Sequence, residues 1–310
     1  MSKCCVFSAI LLTALLSLPR LLHAQNAPGT TEQQAKQQSW NNGPPPKKAY
    51  VGKKSAPAPR RNLSGIWNAA AEGGVQPKGV LEYPALLPDH PQDDIGEQPD
   101  EGKISHPLPY TPLGLAALKA NKPGVGVRAV GPGLVNDPVD FCDPQGFPRM
   151  ELFEFRVLEI AQNRNQVLLL YQFYDNWRVI WTDGRALPDL KEAEPRWNGY
   201  SVGKWVDDYT FVVDTVGMNE KTWLDNAGRP HSGDLTVQER FHRVDYDTLE
   251  LTVTINDPKF YLQPWQALNK FVLHRLPDDY DIQEFFCAPS ETADYNKLIG
   301  NPASVETPQK

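Results

Sequence analysis

The residues best equipped for chemistry gather in one segment, Gly217-Met-Asn-Glu-Lys-Thr-Trp223-Leu-Asp225-Asn-Ala-Gly228-Arg-Pro-His231-Ser232, which sets Asn, Asp, His and Ser beside an aromatic ring. His231 with Asp225 and Ser232 would supply a base, an orienting carboxylate and a nucleophile, the three parts that triad chemistry requires. Against this, Ser232 is adjacent to His231 and no Gly-x-Ser-x-Gly elbow occurs in the chain. The alternative is a loop whose polar side chains bond its own backbone.

Three further carboxylates sit within otherwise apolar strand faces. Asp183 follows Trp177, Val179 and Trp181, Asp214 lies between Val212 and Val216, and Glu239 lies between Val237 and Phe241. Burying a charge without a partner is costly, so an acid entering a core meets an unusual environment and suits acid-base work. If the apolar faces point inward, these acids approach Arg185, His231 or Arg243. The competing reading pairs them with arginines or loop backbone, and Thr182-Asp-Gly-Arg185 reads well as a turn. The candidate catalytic set is Asp225, His231, Asp214 and Glu239.

Aromatic residues supply candidate ligand contacts. Trp177, Trp181, Trp197, Trp205, Trp223, Trp265 and Tyr261 could line a pocket or stack on flat ligands, although core packing accounts for most of them. Trp223, Trp265 and Tyr261 fall in connections between strands and are the preferred contacts, joined by Trp181 and Arg185. The other mature histidines, His90, His106, His242 and His274, are scattered without metal-ligand spacing, so no metal site is expected. No phosphate-cradling glycine loop or dinucleotide fingerprint follows a strand, so no cofactor is expected.

The leading segment places this chemistry outside the cytoplasm. Met-Ser-Lys, an apolar run from Cys4 to Leu18, and Pro19-Arg20-Leu-Leu-His-Ala24 match the three regions of a secretory signal, with cleavage expected after Ala24. Fifteen apolar residues fall short of the roughly 20 that span a bilayer, and no other stretch could do so. The expected location is the periplasm or the medium. Removing residues 1–24 takes away two bases and no acid, moving the net charge from −7 to −9. Residues 25–61 carry +6, and everything after them −15.

That basic stretch, rich in Gln, Pro and Lys, has too little apolar surface to offset its ordering entropy and reads as a disordered linker. Its lysines could touch an anionic envelope surface, or it could serve as a plain spacer. A domain at −15 disfavours nucleic acid as a partner, because phosphate contacts need positive patches. The partner expected is a small molecule.

Residues 62–290 read as one all-β domain, followed by a disordered tail over 291–310. Residues 71–149 hold thirteen prolines, which forbid continuous helix or central strand. Within them, Thr111 as N-cap, Pro112 at the first helical position and Pro123 as a stop predict one short helix. Beyond the first strand at Leu63–Ala69, strands are expected near 150–161, 166–174, 177–183, 197–205, 209–217, 234–245, 248–256, 266–276 and 280–287. In Thr248–Asn256 the residues Leu249, Leu251, Val253 and Ile255 share one face. An antiparallel meander would put the short turns at 175, 207, 246 and 278 at one end. The long connections 184–196, 218–233 and 257–265 would then lie at the other, where a scaffold carries its site.

Gly65-Ile-Trp67 on a first strand, with an up-and-down meander after it, resembles the Gly-x-Trp opening of lipocalins and the wider calycin barrels. The strings Asp137–Arg149, Trp197–Trp205 and Thr222–Ser232 resemble a family of secreted bacterial proteins with no assigned function, over roughly residues 62–290. That resemblance implies a location and a barrel fold, and carries over no catalytic residue.

Cys142 and Cys287 survive processing and would meet oxidising conditions, so a bridge is expected, with two buried thiols as the alternative. The meander sets their strand ends apart, so residues 142–149 would have to run along the barrel at about 3.3 Å per residue for the pair to meet. Three functions follow in order: a barrel binding a small apolar or ring-shaped molecule at its open end, an acid-base enzyme in the same mouth, and an envelope interaction protein using the linker.

Overall fold

The computed structural model describes residues 55–68, 108–124, 128–152 and 157–300. The signal segment and most of the linker, residues 1–54, lie outside the described residues, as do 69–107 and 301–310. Nine strands close into a barrel in chain order: β1 (Gly65–Asn68), β2 (Leu158–Gln162), β3 (Gln166–Tyr171), β4 (Asn176–Trp181), β5 (Tyr200–Trp205), β6 (Thr210–Val216), β7 (Thr236–Arg243), β8 (Thr248–Asn256) and β9 (Trp265–Arg275). Outside the strands lie α1 (Pro112–Ala120), α2 (Arg149–Leu152) and α3 (Pro289–Tyr295).

A ring of strands with antiparallel neighbours throughout closes only on an even number. With nine strands one junction must be parallel, and it is β4 with β5, where Ile180 faces Ser201. A parallel junction needs a long crossover, here residues 182–199. The expected all-β, in-order barrel is present, and the meander is corrected at this one junction; the other eight are antiparallel. The crossover starts at one end and climbs to the other, so Arg185 belongs to the end opposite the long loops, and the 172–175 turn joins those loops. Residues 217–235 and 257–264 remain together at that end, termed the loop end; the turns at 206–209 and 244–247 close the other.

Two strand boundaries also differ. Residues 280–287, expected as a final strand, are not a strand, and the strand expected from 150 begins only at Leu158. The segment after Leu276 instead packs Tyr280 and Ile282 on Ile66 and Val157 outside the barrel. It then climbs to the loop end, where Phe285 stacks on Phe173 with ring centroids 4.9 Å apart. There Cys287 is bonded to Cys142, Cα atoms 5.4 Å apart. The pair meets because the C-terminal segment travels the barrel's height, whereas residues 142–149 stay at the loop end.

Leu249, Leu251, Val253 and Ile255 all face inward and are fully buried, as their alternation predicts. Trp67, Phe211 and Phe241 fill the same bore, each such side chain stabilising by about 1.5–3 kcal/mol on burial. At the closed end the Arg243 guanidinium lies 4.5 Å from the Trp67 ring centroid. It donates to the carbonyls of Asn62, Asp245 and Tyr246 at 3.1, 2.9 and 2.6 Å. Burial, with Arg275 nearby, brings its pKa down to about 10.

The expected helix is present as α1, with Thr111 Oγ1 accepting from Gly114 N at 3.0 Å. Residues 55–61, placed by composition in the linker, lie instead against the closed end. Tyr246 N donates to Ala56 O at 2.9 Å, and Arg60 and Arg61 pair with Asp208 at 3.3 and 3.4 Å. Part of the expected tail is likewise the helix α3.

Candidate functional site

The loop 217–235 is packed inward. From Thr222 to Ser232 every residue but Ala227 is buried, because its polar side chains bond its own turns and the neighbouring loop. Asp225 accepts from Ala227 N and Arg229 N at 3.0 and 3.2 Å and pairs with the Arg229 guanidinium. It does not orient His231. The imidazole Nδ1 lies 3.2 Å from Ser232 O, which only accepts, so Nδ1 carries the proton and Nε2 accepts from Thr222 Oγ1 at 2.8 Å. Burial lowers the His231 pKa and keeps it neutral.

Ser232 is equally occupied. Its Oγ donates to Asp257 Oδ1 at 2.8 Å and its N–H to Asp257 Oδ2 at 2.6 Å, tying this loop to 257–264. The expected base, carboxylate and nucleophile therefore stand close in the chain with hydrogen bonds that lead apart. The aromatics are walls: Trp223, Trp265 and Tyr261 are 5, 7 and 1 % exposed. Tyr261 donates to Pro230 O at 2.8 Å and lies 5.1 Å from the Tyr110 ring.

The other candidates separate by face. Asp214 points outward and accepts from Gln238 at 2.9 Å. Trp181 and Arg185 stack at 3.5 Å on the outer surface toward the closed end, where Arg185 also pairs with Asp183. The face expected inward on β4 is the outer one: Trp177 is 62 % exposed, and Arg178 and Ile180 enter the bore. Alternation fits both faces of β4 equally, and the charge of Arg178 argued for the wrong one.

Glu239 does enter the barrel, and there it meets a cluster that sequence patterning missed. The Arg178 guanidinium forks onto both Glu239 oxygens, one contact measuring 3.0 Å, and also reaches Glu151 Oε1 at 3.4 Å. It donates to Ser201 and Thr215 hydroxyls at 3.1 Å each, and Tyr171 donates to Glu151 Oε1 at 2.6 Å. Glu151, Arg178 and Glu239 are all inaccessible to solvent or nearly so. Two acids share one cation.

Burial first, and then the Glu239 charge, push the Glu151 pKa well up, against the opposing pull of Arg178 and the Tyr171 hydrogen bond. That shift favours the protonated form of Glu151, which beside the Arg178–Glu239 pair leaves the cluster neutral, while Glu151 Oε2 makes no hydrogen bond within the chain. Arg178 is held charged: burial opposes its charge, but Glu239, Tyr171 and Glu151 together outweigh it. The one available signal was Glu239 itself, whose inward position requires a buried cation.

Glu151 does not belong to a strand. It sits on α2, all four of whose residues are buried, so the segment 146–152 stops the loop end like a plug. Phe147 N donates to Trp197 O at 2.9 Å, and the Phe147 ring stacks under Arg178 at 3.7 Å. Arg149 makes two bonds of 2.7 Å to Asp137. At Gly146, φ is +70° and an added Cβ would lie 2.8 Å from Trp197 O, so only glycine turns the chain into the mouth.

Among the described residues, the side chains that keep buried polar atoms with no hydrogen-bonding partner in the chain include Gln145 (Oε1 and Nε2), Glu151 Oε2, Asn198 Oδ1, Asn226 Nδ2 and Trp265 Nε1, all at the loop end. Among the described residues no group of three or more His, Cys, Asp or Glu could hold a metal ion, and no helix is long and apolar enough to cross a membrane. Comparison with known proteins finds no matching family model, no similar curated protein and no matching solved structure.

Proposed function

We propose that the chain is an exported barrel that binds a small molecule at its loop end. The observation that carries the reading is the gathering there of Gln145, Asn198, Asn226 and Trp265 with unanswered buried polar atoms. Leaving such a group unpaired costs about 1–3 kcal/mol, and native folds carry few of them. A ligand offering both donors and acceptors would satisfy the three amide side chains and the indole, and a flat apolar body would suit walls of Trp223, Tyr261 and Trp265. Entry requires withdrawal of 146–152, which is fastened by the buried Arg149–Asp137 pair.

Export is supported by the Cys142–Cys287 bond, which persists in oxidising compartments, and by the signal-like leader. Amino-terminal sequencing of protein from the periplasm should begin at Gln25, and an intact Met1 would reject export.

Binding is tested by screening fractions of an envelope small-molecule extract for a shift in melting temperature. A ligand at about 100 times its Kd stabilises by about 2.7 kcal/mol, which raises Tm by about 5 °C or more in a domain of this size. The Gln145→Ala, Asn226→Ala double variant should lose that shift while remaining folded. No active fraction with the wild-type protein would overturn the reading.

A further inference from the structure

We propose that the plug 146–152 is a proton-held stopper, kept in the barrel mouth by one proton on the pair of buried acids that converge on Arg178, Glu151 on the plug and Glu239 on the wall. The geometry divides the cluster between a small element and a large one. Glu151 is carried by the four-residue α2, whereas Tyr171, Arg178 and Glu239 are fixed on β3, β4 and β7. These three are the titratable or charged groups facing Glu151, with the hydroxyls of Ser201 and Thr215 completing the shell around Arg178.

With the proton in place the cluster holds one carboxylate, one guanidinium and one carboxylic acid. When the proton leaves Glu151 for solvent, two carboxylates face one guanidinium in an apolar bore, and Glu239 already occupies both prongs of the fork. Repulsion between like charges at such a site is what drives paired acids to keep a proton. The plug has an alternative that the wall lacks: it can carry Glu151 out to water.

The sign follows from linkage. Glu151 has a raised pKa in the plugged state, so the plugged state binds the proton more tightly and is fully favoured at low pH. Its advantage shrinks about tenfold per pH unit between the ordinary glutamate pKa and the raised one, and levels off above the latter. The stopper closes the end at which the ligand is proposed to bind, so its meaning for function rests on that reading; its test does not.

The test is hydrogen exchange of the full mature chain, read by mass spectrometry at about pH 6 and about pH 9, a range that brackets buried glutamic acids. After correction for intrinsic rates, peptides covering 146–152 should exchange at least about tenfold faster at the higher pH, while β8 stays protected at both. Glu151→Gln and Glu239→Gln should each abolish the difference, because opening needs two ionised acids. Tyr171→Phe removes a hydrogen bond that favours the charged form of Glu151 and should move opening to higher pH; a merely structural tyrosine would loosen the plug at every pH. Should either glutamine variant fail to fold, the wild-type and Tyr171→Phe profiles decide. Equal protection of 146–152 at both pH values in the wild type overturns the proposal, as does a wild-type pH difference surviving in either glutamine variant. A ligand screen that fails while the pH step persists would strike the binding reading alone.

Discussion

Removing the guanidinium of Arg178 would leave Glu239 charged in an apolar bore. Breaking a buried pair from one side costs about 3–5 kcal/mol, so Arg178→Met should lower the denaturation midpoint by that much. Glu239→Gln should cost less, because Glu151 can then ionise and take its place as counter-ion. Equal losses for the two variants would show that Glu151 cannot serve. His231 offers a separate check. Its folded pKa lies below the usual value near 6.5, so its contribution to stability is present above that value and is lost as pH falls toward the folded pKa. In His231→Gln the fall in stability between about pH 7 and about pH 5 should be shallower than in the wild type.

Among the elements, α1 and the C-terminal segment make the sharpest demands. An added Cβ at Gly114 would sit 2.1 Å from Phe260 O, so Gly114→Ala must push α1 off the 257–264 loop. The expected result is a loss of about 1–3 kcal/mol with new proteolytic cutting near Phe260. The bond from Cys142 to Cys287 closes a 145-residue separation, for which loop entropy predicts about 5 kcal/mol. Cys287→Ser should release the segment after Leu276 to protease before the barrel is touched. Legibility follows the strength of local signals. Period-two alternation in β8, the N-cap and proline of α1, and the cysteine pair were all readable, because each rests on short-range geometry or on compartment chemistry. The inward turn of Arg178 and the burial of Glu151 were not, since both depend on partners 61 and 27 residues or more away. The parallel β4–β5 junction was hidden for the same reason: it answers to the closure of nine strands and to nothing local.

At the scale of the molecule, the barrel sorts its contents by end. The closed end is tied by Arg243 over Trp67 and by residues 55–61, with its polar groups answered by carbonyls and by Asp208. The loop end holds the plug, the two buried acids on Arg178 and the side chains whose polar atoms remain unanswered. That asymmetry supports the loop end as the working end, and the chain enters from the opposite side. The most direct test of small-molecule binding is native mass spectrometry of the protein isolated from its native source. Binding at the loop end should give a species heavier than the bare chain by one small molecule, lost on denaturation and absent from the Gln145→Ala, Asn226→Ala variant. A single species at the bare mass, unchanged after exposure to the envelope extract, would contradict it.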